Sequence, residues 1–374
     1  MQFINAKIFT KNFQFEQGSF CVEDGKFTRV MDGAAAADAV DLEGAYVIPG
    51  LIDIHNHGNS NADFSDGNYD GLKKMAAYLA ANGITSFAPA SMTLPYETLH
   101  DAFATARQLV DEAPAFCAAL RGIQMEGPFF CEKKKGAQNG AYLKNPDFDA
   151  FLKLYEGCGG LIRIVDLASE LPGAVEFTEK ARELCTVSIA HTDSDYEHAK
   201  AVFAAGATHL THLFNAMPPI HHRKPGVIGA ASECENVRAE IIADGIHVHP
   251  SSIRMAFRLF PGRMILISDA LRCCGMPDGA YELGGQTVYL KGKTCTLADG
   301  TLAGSVTNLY DCMRNAISYG IAPEQAVQAA TWNPACALGC QDVVGAIADG
   351  MQADFLVCDE QWNRRQVYLG GQAL

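Results

Sequence analysis

Nowhere in the chain do apolar residues run for the roughly 18 positions that a membrane helix needs. The opening Met1-Gln2-Phe3-Ile4-Asn5 passes straight into a strand pattern instead of a signal peptide. The expected compartment is therefore the cytoplasm, with no membrane partner. Cations are scarce: 29 Lys and Arg face 43 Asp and Glu, a formal charge of −14. Such a surface repels polyanions, which argues against nucleic acid or anionic lipid and leaves room for a small phosphorylated ligand at a local basic site. Low-complexity segments and repeat periods are also missing, so neither a disordered tail nor a solenoid is expected. Cysteine occurs 13 times, but Cys273-Cys274 is too close for an ordinary bridge and Cys336-x-x-x-Cys340 has no second pair at zinc-finger spacing. Free thiols in a reducing compartment fit both.

What is present is core material: 48% of the 374 residues are hydrophobic, enough for one large barrel and a modest extra module. Short β patterns at 4–9, 20–22, 27–30 and 45–48, separated by turns such as Glu23-Asp24-Gly25-Lys26, predict a small antiparallel sheet. From Leu51 the character changes to apolar runs alternating with amphipathic stretches. Strands are predicted at 51–55, 85–88, 120–125, 161–166, 186–190, 209–211, 238–243 and 264–268. Helices are predicted at 71–81, 96–112, 146–155, 174–184, 196–205 and 251–260. Eight βα units in series mean an α/β fold, a (β/α)8 TIM-type barrel. An inserted hairpin is expected at 275–300, with helices at 306–319 and 323–331 closing the ring. The tail from Gly345 returns to β character. Residues 1–48 and 337–374 are expected to form one discontinuous β-sandwich domain beside a catalytic barrel at 49–336.

The apolar strand Pro49-Gly-Leu-Ile-Asp-Ile-His-Asn-His57 ends in two histidines one residue apart. Side chains at i and i+2 of a strand leave on one side, so His55 and His57 can reach one metal ion, with Asp53 on the same face. Glu126 follows the third predicted strand, His191 the fifth, His212 the sixth, His247 the seventh and Asp269 the eighth. All fall at carboxyl ends, the face where such barrels build their sites. A core histidine satisfied by backbone explains any one of them, but not the repeated coincidence of residue type with strand end. Imidazole and carboxylate ligands suit a divalent first-row metal; zinc is the default, with Fe2+, Mn2+ and Co2+ as alternatives. A bound cation brings the pKa of its water from 15.7 to about 7 and polarises a carbonyl. Asp269 would take the proton of the attacking water and return it to a leaving amine. The chemistry so read is metal-assisted hydrolysis of an amide.

These residues also carry a resemblance. The strand ending in His55 and His57, Met125-Glu126-Gly127-Pro128-Phe129, His191-Thr192-Asp193, His209-Leu210-Thr211-His212-Leu213-Phe214-Asn215-Ala216-Met217, Ala243-Asp244-Gly245-Ile246-His247 and Ser268-Asp269-Ala270 resemble the amidohydrolase superfamily. Within it they are similar to the N-acetylglucosamine-6-phosphate deacetylases. Thr331-x-Asn333-Pro334-Ala335 and Gly345-x-Ile347-x-x-Gly350-x-x-Ala353-Asp354 extend the likeness over nearly the whole chain.

The resemblance implies one metal at Glu126, His191 and His212 and a second at His55 and His57, bridged through Glu126. It makes Asp269 the acid–base residue, and the third strand has no lysine of the kind that bridges two metals elsewhere in the superfamily. It further implies a phosphate site at Asn215 and the Ala216 amide, with Arg223 reaching the neighbouring subunit's phosphate in a homodimer and His247 on the sugar. Beside it stands the physical observation that His221-His222-Arg223-Lys224 is a basic run in an acidic protein. Ala137-Gln138 occupies a substrate position where the family often has Ala or Thr followed by His; Gln138 can hydrogen-bond sugar or acetyl but carries no charge. The expected reaction is deacetylation of N-acetylglucosamine 6-phosphate in amino-sugar catabolism and recycling. The galactosamine epimer and another amidohydrolase activity are alternatives, while a non-catalytic barrel is disfavoured by the complete ligand set.

Overall fold

Strands buried on both faces read as continuous apolar runs, and Leu51–Asn56 is such a strand, buried at every position. In the computed structural model, which describes residues 1–31 and 37–374, it is the first of eight parallel strands. The others are Ile84–Pro89, Ile123–Phe129, Ile162–Leu167, Thr186–Ile189, His209–Leu210, Arg238–Ile242 and Met264–Ile267. Consecutive strands pair in parallel within the groups 1–2 and 3–8. Parallel bridges Ala90–Gln124 and Asn56–Ala270 join those groups and close the barrel.

The predicted third strand is split. Ala119–Leu120 pairs with the second strand, and the chain shifts inward at Ile123, whose N–H donates to Leu161 O at 2.8 Å. Helices cover the outside at the predicted places, with ends set by caps. Asn68 accepts from Gly71 N and starts Tyr69–Ala81 two residues early; Asp147 accepts from Ala150 N and starts Phe148–Gly157 two residues late.

Helix Trp332–Leu338 packs Ala335 and Leu338 against Ile52, Ile54, Ile164, Ile265 and Ile267. Because it touches the first, fourth and eighth strands together, it sits across the end of the barrel as a plug. The insertion after the eighth strand differs from the expected hairpin. It is a three-stranded antiparallel sheet, Gly279–Leu283, Gln286–Lys291 and Thr294–Leu297, because both Gly284-Gly285 and Gly292 supply left-handed turn residues. Its apolar face, Leu283, Val288, Leu290 and Cys295, packs on Met92, Leu271 and Cys273.

The chain's two ends share one sheet. Tyr46–Pro49 pairs in parallel with Gln2–Phe9 on one side and antiparallel with Phe355–Cys358 on the other. Phe3, Phe20, Phe27 and Phe355 are fully buried there. Residues 32–36 of the expected small domain lie outside the described residues. Every cysteine is a free thiol. Among the described residues, no helix is long and apolar enough to cross a membrane.

Candidate active site

The predicted residues meet where the barrel strands end. Three of them, His191, His212 and Asp269, follow their strands in the left-handed region, at φ 44°, 32° and 50°. Such a backbone costs about 1–3 kcal/mol per non-glycine residue and persists only where neighbours fix it. The neighbours are visible: Asp269 N donates to His55 O at 2.9 Å, and Ser305 N donates to Asp269 O at 2.6 Å.

Glu126, buried in the third strand, stands at the centre. Its Oε1 lies 3.1 Å from His191 Nε2 and 3.2 Å from His212 Nε2, and those two nitrogens are 3.1 Å apart. Its Oε2 lies 3.2 Å from His57 Nε2, while His55 Nε2 is 3.6 Å from Oε1. Asp269 Oδ1 completes the ring, 3.3 Å from His57 Nε2 and 3.7 Å from His55 Nε2. Two sets of buried ligand atoms result, His55–His57–Glu126 and Glu126–His191–His212, sharing one carboxylate.

The donor chemistry fits divalent cations. His57 Nδ1 is 3.1 Å from Ala90 O and His191 Nδ1 is 2.9 Å from Lys134 O. A carbonyl oxygen only accepts, so both Nδ1 atoms carry a proton and both Nε2 atoms face the centre, where they offer lone pairs once deprotonated. His55 Nε2 is buried with no hydrogen-bond partner, as expected of an atom placed for a metal. Burial works against charge on His55, yet the Glu126 and Glu240 carboxylates outweigh it and hold the imidazole up to about 10. Burial likewise pushes Asp269 upward, but the hydrogen bond from His57 and the charges on both histidines leave it below its ordinary value. A cation among these groups replaces protons, so its binding is coupled to pH.

A cavity of about 280 Å3 opens on this cluster, lined by His57, Glu126, His191, His212 and Asp269. Ala137, Gln138, Asn215, Ala216 and His247 line it too. Leu271, Leu283, Thr301, Leu302 and Gly304, in and around the inserted sheet, form another wall. A second cavity of about 570 Å3, beside helix Leu309–Ser318, contains none of the histidines or Glu126, so the chemistry belongs to the smaller one. His247 is oriented by Asp244, whose Oδ2 is 2.7 Å from its Nδ1.

One placement differs from expectation. Asp53 does not join the histidines: the register between first and second strands shifts from Asp53–Phe87 to Asn56–Pro89, three steps against two. Its carboxylate accepts from Ser268 Oγ at 2.6 Å, tying the first strand to the eighth. Gln138 is committed to the cluster, with Nε2 donating to Glu126 Oε2 at 2.6 Å and Oε1 accepting from Thr93 N at 2.8 Å. Arg223 is exposed outside the cavity, with Nη1 2.6 Å from His222 Nε2.

Sequence reasoning missed Glu240, which bonds His55 from inside the barrel. The available signal was a carboxylate in the otherwise apolar run Ala239-Glu240-Ile241-Ile242.

The amidohydrolase family model matches residues 46–374. The N-acetylglucosamine-6-phosphate deacetylase of Bacillus subtilis is 36% identical over 366 residues, 94% of this chain and 91% of its own length. An N-acetylgalactosamine-6-phosphate deacetylase of Escherichia coli O157:H7 is 31% identical over 352 residues, 92% of this chain and 93% of its own. Among solved structures, a mutant N-acetyl-D-glucosamine-6-phosphate deacetylase of Mycobacterium smegmatis, in complex with N-acetyl-D-glucosamine-6-phosphate, superposes with a TM-score of 0.93 at 30% identity. That match covers 100% of this chain and 98% of the other. The chain belongs to the N-acetylglucosamine-6-phosphate deacetylase branch of the amidohydrolase family.

Proposed function

We propose that this enzyme hydrolyses the acetamide of N-acetyl-D-glucosamine 6-phosphate to D-glucosamine 6-phosphate and acetate, in amino-sugar catabolism and recycling. The observation that carries the reading is the shared carboxylate of Glu126 between two histidine pairs, with Asp269 3.3 Å from His57 at the cavity wall. Glu126, His191 and His212 would hold one divalent cation and His55, His57 and Glu126 a second, which would supply Lewis-acid polarisation of the acetamide carbonyl and a more acidic water. Zinc suits this donor set; Fe2+, Mn2+ and Co2+ are the alternatives that elemental analysis separates.

The chain's own residues do the rest. Asp269, held ionised, takes a proton from the attacking water and delivers it to the departing amine. His247, fixed by Asp244, contacts the sugar. Asn215 and the Ala216 amide hold the phosphate, and Arg223 reaches the phosphate site of the neighbouring subunit in a homodimer. Gln138 fixes Glu126 and, with Ala137, forms the floor under the acetyl group. The working division is a catalytic barrel at 49–336 and a small β-sandwich domain at 1–48 and 337–374, supported by the separate apolar cluster around Phe3, Phe20 and Phe355. The working compartment is the cytoplasm.

Metal analysis together with acetate release from the glucosamine and galactosamine epimers tests the reading. Turnover of the glucosamine epimer by the metal-loaded protein is expected. Preference for galactosamine would move the substrate assignment, and turnover of neither would remove it.

A further inference from the structure

The four clustered histidines differ in what holds the second ring nitrogen, and for His212 that Nδ1 is buried without a hydrogen-bond partner. His57 and His191 lean on backbone carbonyls, which are neutral. His55 leans on a full charge: its Nδ1 is 3.0 Å from Oε2 of Glu240, a carboxylate with no exposed surface. The same Oε2 accepts from the backbone N–H of His212 at 3.3 Å, and Oε1 is 2.9 Å from Nε2 of buried His209. Glu240 sits in the seventh strand, Arg238–Ile242, beneath the cluster and apart from the cavity lining. A buried carboxylate must be compensated, and here two imidazoles and one amide do it.

We infer that Glu240 is the positioning residue that fixes His55 as an Nε2 donor and sets the affinity of the cation site formed by His55, His57 and Glu126. The inference rests on the two-cation reading given above. An ionised partner at Nδ1 locks tautomer and ring orientation and makes the opposite nitrogen a stronger donor than a carbonyl partner does. The first-strand site lacks the three-ligand compactness of Glu126, His191 and His212, whose atoms approach within 3.1–3.2 Å. It therefore depends more on the quality of each donor.

Glu240→Gln is the test, because its oxygen still accepts from His55 Nδ1–H while its amide faces His209 Nε2. His209 can move its proton to Nδ1, which is buried without a partner, so the fold has a route to survive. Zn2+ titrated into chelator-stripped protein, with a competing chromophoric chelator, reads both sites. The expected result is a roughly 10- to 100-fold weaker second ion with the first unchanged, and loss of the His55 Nδ1–H imidazole proton signal's wild-type position by NMR. Glu240→Asp keeps the charge but withdraws it by one methylene, so partial weakening is expected. His209→Gln removes the other imidazole and should leave the second ion's affinity as it was. Equal weakening of both ions, or unchanged second-ion affinity in Glu240→Gln and Glu240→Asp, overturns the role given to Glu240. Uptake of only one ion by the wild type overturns the two-cation reading itself, and this inference with it.

Discussion

Around Glu126, imidazole nitrogens lie 3.1–3.7 Å from carboxylate oxygens, on a backbone that is left-handed at His191, His212 and Asp269. In the terminal sheet, rings fill the same kind of space: Phe3 stacks on Phe20 with centroids 4.9 Å apart, and Phe355 on Tyr368 at 4.4 Å. The first region concentrates buried charge and backbone strain, so it tends to weaken the fold. The second offers mainly apolar burial, with the Tyr368 hydroxyl as the one polar side-chain group among these four rings. Stability and chemistry are thus assigned to different parts of one chain, and substitutions in the two regions should fail in different ways.

The sharpest break is His191→Ala, which should remove the cation at Glu126, His191 and His212 and all measurable turnover, while metal-free protein unfolds near the wild-type midpoint. Full metal content and activity in that variant would disprove the assignment of the fifth-strand histidine. Asp269→Asn should keep metal and substrate but lose about 10²- to 10⁴-fold in kcat, with KM little changed. A tenth of the wild-type kcat remaining would point to another base, His247 first.

The opposite failure is expected from Phe355→Ala, fully buried in the terminal sheet. It should cost about 3–5 kcal/mol of stability in denaturant titration, yet leave kcat per folded molecule and metal content intact. A changed kcat there would show that the two regions are coupled. Arg223→Ala tests a residue belonging to neither: kcat/KM for the phosphorylated sugar should fall roughly 10- to 150-fold, with the unphosphorylated sugar unaffected. Equal losses on both sugars would assign Arg223 to the fold or the dimer, in the logic of a double-mutant cycle.

The smallest effect concerns pH. Burial opposes charge on both members of the Asp244–His247 pair, but their mutual hydrogen bond raises His247 above 6.5 and lowers Asp244 below 3.8. The contribution of His247 is complete below 6.5 and lost as pH rises through its folded value; that of Asp244 is present above 3.8 and lost as pH falls through its own. Comparing wild type with Asp244→Asn from pH 3 to 9, the difference should peak near pH 5 at about 1 kcal/mol. A difference that grows above pH 7 would contradict the pairing.

Barrel strands were legible because burial on both faces leaves unbroken apolar runs, and the clustered histidines and Asp269 were legible because they sit near where such runs stop; Glu126 lies inside its strand, Ile123–Phe129. Short-range pattern carries no information on which interior side chains meet across the barrel. That is why Glu240 escaped, and why Asp53 was placed with His55 and His57 until the register shift beside it separated them. Sequence order likewise does not reveal that the Thr93 amide and the Glu126 carboxylate converge on Gln138. The inserted sheet was read as a hairpin because the turn at Gly292 went uncounted.

The pairing of Tyr46–Pro49 with Phe355–Cys358 has a consequence in time. On a ribosome adding about 5–20 residues per second, the partner for that strand emerges roughly 15 to 60 seconds after the strand itself. Throughout that interval the nascent chain carries an open strand edge beside the first barrel strand, the kind of template onto which other nascent chains add. Slow synthesis or loss of the final strands should therefore reduce soluble yield before it alters a single catalytic distance.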